Sequence, residues 1–316
     1  IVIVTFTIFF SIFKNADKII QSFKYFFYEY PNYSLNIIEE HFAIEGFSAI
    51  QGLDIFNSKN NKTLFMANGY RNSIGIYENK TFSGLPIKSK VLDGHPELIA
   101  GVYYNPNYGA FWTAWRNNEI YITDKNFVKT GYKVWAKNLN MPLGITGSKD
   151  HLYLANHGAH EIIKYNYDGS VVWKKKFYVD GIELKSIYGI KDFNKNLLVS
   201  FQKPFAVAII DYEGNIINHN FGKFNDGLTV DGSSFNNLQG VDFDAKDNIY
   251  AIDSYNKRIV IMDKDLNFIA TATHPDIANS RGISIDRIEN HIYISGFKVG
   301  LEVTEDQTGF WIFEGP

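Results

Sequence analysis

Residues 238–269, LQGVDFDAKDNIYAIDSYNKRIVIMDKDLNFI, set four short apolar runs between polar turns. Gly240, Val241 and Phe243 open an alternating run that Asp244, Lys246, Asp247 and Asn248 close, because short polar side chains bond their own backbone and favour turns over a ladder. A second run covers 249–252, a turn 253–257, a third run 258–262, a hairpin 263–265 and a last run 268–270. Runs this short, joined by hairpin-length turns, predict four antiparallel strands in about 30 residues.

The same pattern recurs along the chain. Laying Gly240 on the rest of the sequence finds Gly52, Gly101, Gly144, Gly189 and Gly282, at intervals of 49, 43, 45, 51 and 42 residues. Second strands are predicted at 64–67, 110–113, 152–155, 197–200, 249–252 and 292–295, and third strands at 73–77, 119–123, 161–165, 207–211, 258–262 and 309–313. A small sheet buries little by itself, so six such units must stack, which predicts an all-β, six-bladed β-propeller of four-stranded antiparallel blades. The last unit ends at Pro316 with no room for a fourth strand, while a spare alternating segment lies within 34–44. We expect that N-terminal strand to complete the sixth blade, since closure removes an exposed sheet edge.

The motifs GVDFD at 240–244, IYAID at 249–253 and RIVIMD at 258–263 resemble the NHL repeat, which implies the propeller fold and by itself no activity. The phrases LFMANGYRNSIGIYE (64–78), LYLANHGAHEIIKY (152–165), and NLLVSF followed by AIIDYEGNII (196–217) are also similar to those of a group of exported bacterial six-bladed propellers. That second resemblance implies a place outside the cytoplasm, secreted or membrane-anchored.

Composition narrows the function. Aromatic residues make up 16% of the chain and hydrophobic residues 45%, which suits strands and a large core and argues against disorder. A net charge of -3, with no basic run longer than Lys174 to Lys176, leaves no footprint for nucleic acid. With no cysteine, disulfides, thiolate metal sites and a cysteine nucleophile are excluded. Residues 1–13, IVIVTFTIFFSIF, are uncharged and apolar, without an initiator Met, and read as the remnant of a signal peptide or membrane anchor in a longer chain. A helical aromatic stripe follows over 15–30 and stops at Pro31. The expected organisation is therefore a targeting or anchor segment with a helix at 1–32 and the propeller at 33–316.

In a propeller, the residue before each repeat glycine and the loop between second and third strands meet at one mouth of the central channel. The first set is Gln51, Ala100, Leu143, Tyr188, Gln239 and Arg281; the second offers Asn68, Tyr70, Arg71, Trp115, Arg116, Asn156, His157, His160, Gln202, Lys203, Asp253, Tyr255, Phe297 and Lys298. Cations with aromatic walls suit a small anionic, glycan or peptide ligand, or a protein partner, and we take Arg71, Arg116, Trp115, Tyr188, Gln239, Asp253, Tyr255 and Arg281 as the candidate ligand set. Arg281 stands out because it precedes an inner glycine where the other repeats place uncharged residues, with Asp253 as the internal alternative partner. His157 and His160, three apart on one loop, are the candidate ligands for a divalent metal.

Catalytic propeller families offer a stricter comparison. Gluconolactonase-like lactonases carry an acidic residue where this chain has Gln51. The peptide-amidating lyases, also similar in repeat type, use zinc-bound histidines with Tyr and Arg; Tyr188 and Arg281 match, but no repeat places His at its inner strand. The glutamate of strictosidine-synthase-like propellers has no counterpart. The first reading is accordingly a binding or scaffold propeller acting through its mouth, and the second a metal-assisted lyase or hydrolase using His157, His160, Tyr188 and Arg281. Two long insertions, 221–237 and 298–308, are candidate lids or ordinary surface loops.

Overall fold

The computed structural model describes residues 32–42, 50–58, 62–69, 73–78, 98–123, 132–221, 223–224, 234–297 and 308–315. Residues 1–31 of the expected N-terminal segment and helix, Tyr70, Arg71, and residues 298–307 of the second long insertion lie outside them.

Six antiparallel sheets follow one another along the chain and form the six blades. The second strands run Lys62–Asn68, Gly109–Ala114, His151–Asn156, Asn196–Lys203, Ile249–Asp253 and His291–Phe297, each containing its predicted core. Third strands Glu119–Thr123 and Arg258–Met262 match the expected bounds, three others differ by one or two residues at one end, and Thr308–Glu314 is longer by one residue at each end. The first blade has three strands among the described residues.

The core is divided six ways, one apolar cluster between each pair of neighbouring blades. Alternation along a strand explains it: Ile249 and Ala251 pack toward the fourth blade, Tyr250 and Ile252 toward the sixth. With both faces covered, a second strand reads as a continuous apolar run where a surface strand would alternate.

The ring closes as the unpaired final strand requires. Ile37–Phe42 pairs antiparallel with Thr308–Glu314, from Ile37 opposite Phe313 to Phe42 opposite Gly309. An additional short strand that was not expected precedes it. Asn32–Ser34 first pairs parallel with Phe268–Thr273 on the fifth blade, and Leu35, buried at the join, fills the cluster between blades five and six. Residues 32–42 thus cover the outer edges of two adjacent blades.

At the axis, each repeat glycine faces the carbonyl of the residue preceding the next repeat's glycine. A Cβ on Gly52 would lie 2.6 Å from Ala100 O, on Gly101 2.3 Å from Leu143 O, on Gly144 2.5 Å from Tyr188 O, on Gly240 2.8 Å from Arg281 O, and on Gly282 2.7 Å from Gln51 O. At Gly189 the nearest groups are Ser200 Oγ and Val241 N at 3.0 Å, with Gln239 O at 3.2 Å. The sixth contact returns to the first blade, so the glycines trace the ring. In alternate blades a hydroxyl joins these backbones: Gly101 N donates to Thr113 Oγ1 (2.8 Å), which donates to Leu143 O (2.7 Å). Gly189 N donates likewise to Ser200 Oγ (2.8 Å), which donates to Gln239 O (2.6 Å).

Candidate functional site

Five inner strands lose register at the repeat glycine, between Ile50 and Gly52, Ile99 and Val102, Pro142 and Ile145, Ile187 and Ile190, and Leu238 and Val241. A β-bulge there re-aims the preceding side chain away from the ladder. Gln51, Ala100, Leu143, Tyr188, Gln239 and Arg281, one from each blade, line a single cavity of about 400 Å³. Loops after the second strands add Trp115, His157 and Tyr255, and the fourth blade adds Gln202 from the strand itself.

A third set of lining residues, Leu98, Met141 and Asn237, was not anticipated. Each lies three positions before its repeat glycine and each is left-handed, with φ of 61°, 51° and 81°; Ser186, the fourth-blade equivalent, has φ 55°. Side chains with a Cβ rarely adopt this region, at a cost on the order of 1–3 kcal/mol, and such strain concentrates at binding sites. Only Asn237 is of a type enriched there, so Leu98 and Met141 gave no sequence signal. Asn237 comes from the end of the 221–237 insertion, which Phe235, fully buried between blades four and five, anchors in the core. That end of the insertion is a fixed wall of the cavity.

The polar groups of the cavity are only partly satisfied. Gln239 is 3% exposed; its Nε2 donates to Asn237 Oδ1 (2.5 Å), while its Oε1 is buried without a hydrogen-bond partner. The orientation of both amides follows from their neighbours, since Asn237 Nδ2 donates to Ser254 Oγ (3.3 Å) and its Oδ1 also accepts from Gln202 Nε2 (3.4 Å). Trp115 Nε1 is a buried donor with no acceptor. Arg281 donates through Nη1 to the Tyr188 hydroxyl (3.1 Å). Among the described residues lining the cavity there is no Asp or Glu, and Arg281 is the one permanent charge.

His157 sits edge-on to Tyr188, ring centroids 6.4 Å apart, and its Nδ1 lies 2.9 Å from Ile187 O. A carbonyl only accepts, so Nδ1 carries the proton and Nε2 is the bare nitrogen. Burial lowers the His157 pKa, His160 and Lys203 push the same way, and together they outweigh the hydrogen bond to Ile187. His160 is oriented differently. It caps a short 3-10 turn, His157–Ala159, with φ 60°, and its Nδ1 is held between His157 O (2.9 Å) and Ser186 N (3.3 Å). Among the described residues no group of three or more His, Asp or Glu could hold a metal ion.

Of the other residues singled out from sequence, Arg116 is exposed and not among the lining groups. Asp253 is fully buried, paired with Arg258 (Oδ2 to Nε, 2.9 Å), and accepts from Asn236 N (2.7 Å) and Asn256 Nδ2 (2.7 Å). Asn156, last residue of its own second strand, catches Asn140 N in the same way (2.7 Å). This position is a tether: it fixes the backbone four residues before the repeat glycine and so sets the bulge that exposes the lining residue.

Below the mouth the channel narrows to a cavity of about 60 Å³ walled by the repeat glycines and Lys191. Lys191 Nζ reaches Asp54 Oδ1 (3.2 Å) and Asp242 Oδ2 (3.6 Å); Asp242 also pairs with Arg287 Nη2 (3.0 Å), and Asp54 Oδ2 accepts from Tyr104 N (2.9 Å). Burial by itself would lower the lysine's pKa, but the two carboxylates more than offset it and hold the ammonium above its usual value. All three core members stand two residues after a repeat glycine, on blades one, four and five, so the bridge spans the axis and floors the mouth.

Fold and site together define a six-bladed propeller with an open, cationic, aromatic mouth. No family model and no curated protein matches the chain. Solved structures do match. A selenomethionine-substituted virginiamycin B lyase from Staphylococcus aureus is 15% identical, with TM-score 0.57 over 82% of this chain and 79% of that one. A catalytically inactive variant of the same lyase with quinupristin is 14% identical, with TM-score 0.58 over 89% and 99%. A streptogramin B lyase is 12% identical, with TM-score 0.61 over 89% and 98%. At these identities the likeness is one of fold.

Proposed function

We propose that this protein is a ligand-binding propeller that acts outside the cytoplasm through the mouth of its channel. The observation that carries this reading is convergence: one residue from each of six blades, five of them beside a register shift at the repeat glycine, reaches one cavity whose described lining holds a guanidinium and no carboxylate. Its volume falls within the roughly 300–1,000 Å³ typical of small-molecule sites. The apolar run at 1–13 supports the extracytoplasmic placement, with membrane attachment through the N-terminus.

A second reading, a lyase or hydrolase, draws on the fold shared with the streptogramin B lyases and on His157, whose bare Nε2 and lowered pKa suit a general base beside Arg281 and Tyr188. Elemental analysis of purified protein, before and after chelator, tests the metal-assisted form of that reading; the binding reading predicts no stoichiometric metal. The binding reading itself is tested by thermal shift with anionic metabolites and glycans against wild type and Arg281→Ala. Stabilisation in wild type alone is expected. Absence of any hit, with a large loss of stability in the variant, would assign Arg281 to internal structure and contradict the proposal.

A further inference from the structure

Four side chains around the mouth each keep one hydrogen-bonding function in reserve, and together they narrow the chemistry of what it takes. This inference rests on the binding reading above and goes further, to ligand class. Trp115 Nε1, from the second blade, is a buried donor without an acceptor. Gln239 Oε1, from the fifth blade, is a buried acceptor without a donor, on a residue only 3% exposed. His157, from the third blade, spends its Nδ1 proton on Ile187 O, so Nε2 carries a lone pair and accepts. Tyr188, from the fourth blade, accepts from Arg281 Nη1, and its own O–H proton is left to donate. Arg281 enters the argument only through this bond, as the group that orients the phenol.

Four consecutive blades thus bring two donors and two acceptors to one cavity. The free atoms of Trp115 and Gln239 are shielded from bulk water, so a group that fills the cavity, with a small turn of either side chain, is what answers them. A carboxylate only accepts, and leaves Gln239 Oε1 and His157 Nε2 without a donor. A peptide amide carries one donor and one acceptor, on opposite edges, and answers two of the four groups. A hydroxyl does both, so a ring with hydroxyls around its edge turns one toward each blade in the sense that blade requires. Trp115, Tyr188 and Tyr255 supply aromatic surface against the C–H face of such a ring. We infer that the mouth binds a polyhydroxylated ring, a monosaccharide unit or a cyclic polyol, with separate hydroxyls on Trp115 Nε1, His157 Nε2, the Tyr188 hydroxyl and Gln239 Oε1.

The test is a two-dimensional NMR titration of the full chain that follows the indole N–H of Trp115, assigned by its loss in Trp115→Phe. The probes are D-glucose, D-galactose, myo-inositol, cyclohexanol, succinate and N-acetylalanine N-methylamide. The expected result is saturable movement of that resonance with at least one of the first three, roughly tenfold or more tighter than with cyclohexanol, which offers a ring and one hydroxyl. Calorimetry should then read a roughly fivefold loss of affinity in each of Trp115→Phe, Tyr188→Phe and Gln239→Met. Unfolding midpoints show whether each variant folds, and Tyr188→Phe, which keeps the ring and removes only the hydroxyl, carries the test if Gln239→Met does not fold. Unchanged affinity in every folded variant would place the ring elsewhere and overturn the assignment. Binding of cyclohexanol, succinate or the amide as tight as that of every polyol would overturn the polyol class and leave the mouth as a ligand site. No response to any probe would overturn the class, and an empty thermal-shift screen besides would overturn the binding reading.

Discussion

Lys191→Met should lower the unfolding free energy by about 3–5 kcal/mol, the usual consequence of removing one partner from a buried ion pair. Lys191 is 15% exposed and Asp242 1%, and the lysine is the group that answers Asp54 across the axis. Its loss leaves Asp54, 14% exposed, with only the Tyr104 amide, while Asp242 keeps Arg287. The second half of the prediction is recovery. Adding Asp54→Asn to Lys191→Met removes the uncompensated charge and keeps an acceptor for Tyr104, so part of the loss should return. Chemical denaturation of the three proteins checks this. A single variant within about 1 kcal/mol of wild type, the range of exposed ion pairs, would mean that the bridge is solvated and does not tie the blades together.

Gly101→Val tests the ring of glycines at its tightest point. The added Cβ would meet Leu143 O at 2.3 Å, and backbone on a neighbouring blade yields less readily than the end of a side chain. The loss should reach or exceed about 3 kcal/mol, the top of the usual overpacking range, whereas Gly240→Val, whose Cβ would meet Arg281 O at 2.8 Å, should fall lower in it. Both substitutions push on residues that line the mouth, Leu143 and Arg281, so ligand binding should weaken in any fraction that remains folded. Equal midpoints for wild type and Gly101→Val would show that the glycine is not packed against the next blade.

The blades were legible because their periodicity has a direct physical cause. A second strand covered on both faces must be apolar throughout, and a hairpin must be polar, so Ile249–Asp253 and Arg258–Met262 were bounded almost to the residue. Closure followed from the unpaired edge of the final strand. The additional strand Asn32–Ser34 was not legible, because parallel pairing of three residues leaves no pattern of its own. At the mouth, the pre-glycine residues were found from the repeat alone, since a register shift at the same place in five blades acts on whatever residue stands there. Asp253 was misread as a lining group because a buried tether and a binding carboxylate look alike in sequence; only its bonds to Arg258 and Asn236 separate them. Leu98 and Met141 were missed because nothing in a leucine or methionine announces a left-handed backbone. Lys191, Asp54 and Asp242 were missed for a different reason: their partnership crosses the axis between blades far apart in the chain.

The mouth is preorganised by these same features. Tethers at Asn156 and Asp253 set the bulges, Phe235 pins the wall that carries Asn237, and the Lys191 bridge closes the floor. A ligand entering this cavity meets side chains already held in place, so little ordering entropy opposes binding.

The most direct measurement of the central claim is a crystal structure of the protein soaked with the compound that stabilises it most in the thermal-shift screen. The account predicts ligand density inside the cavity among Trp115, Gln239 and Arg281. Ligand density on another surface, or a cavity filled by the protein's own side chains with Gln239 Oε1 and Trp115 Nε1 satisfied internally, would contradict it.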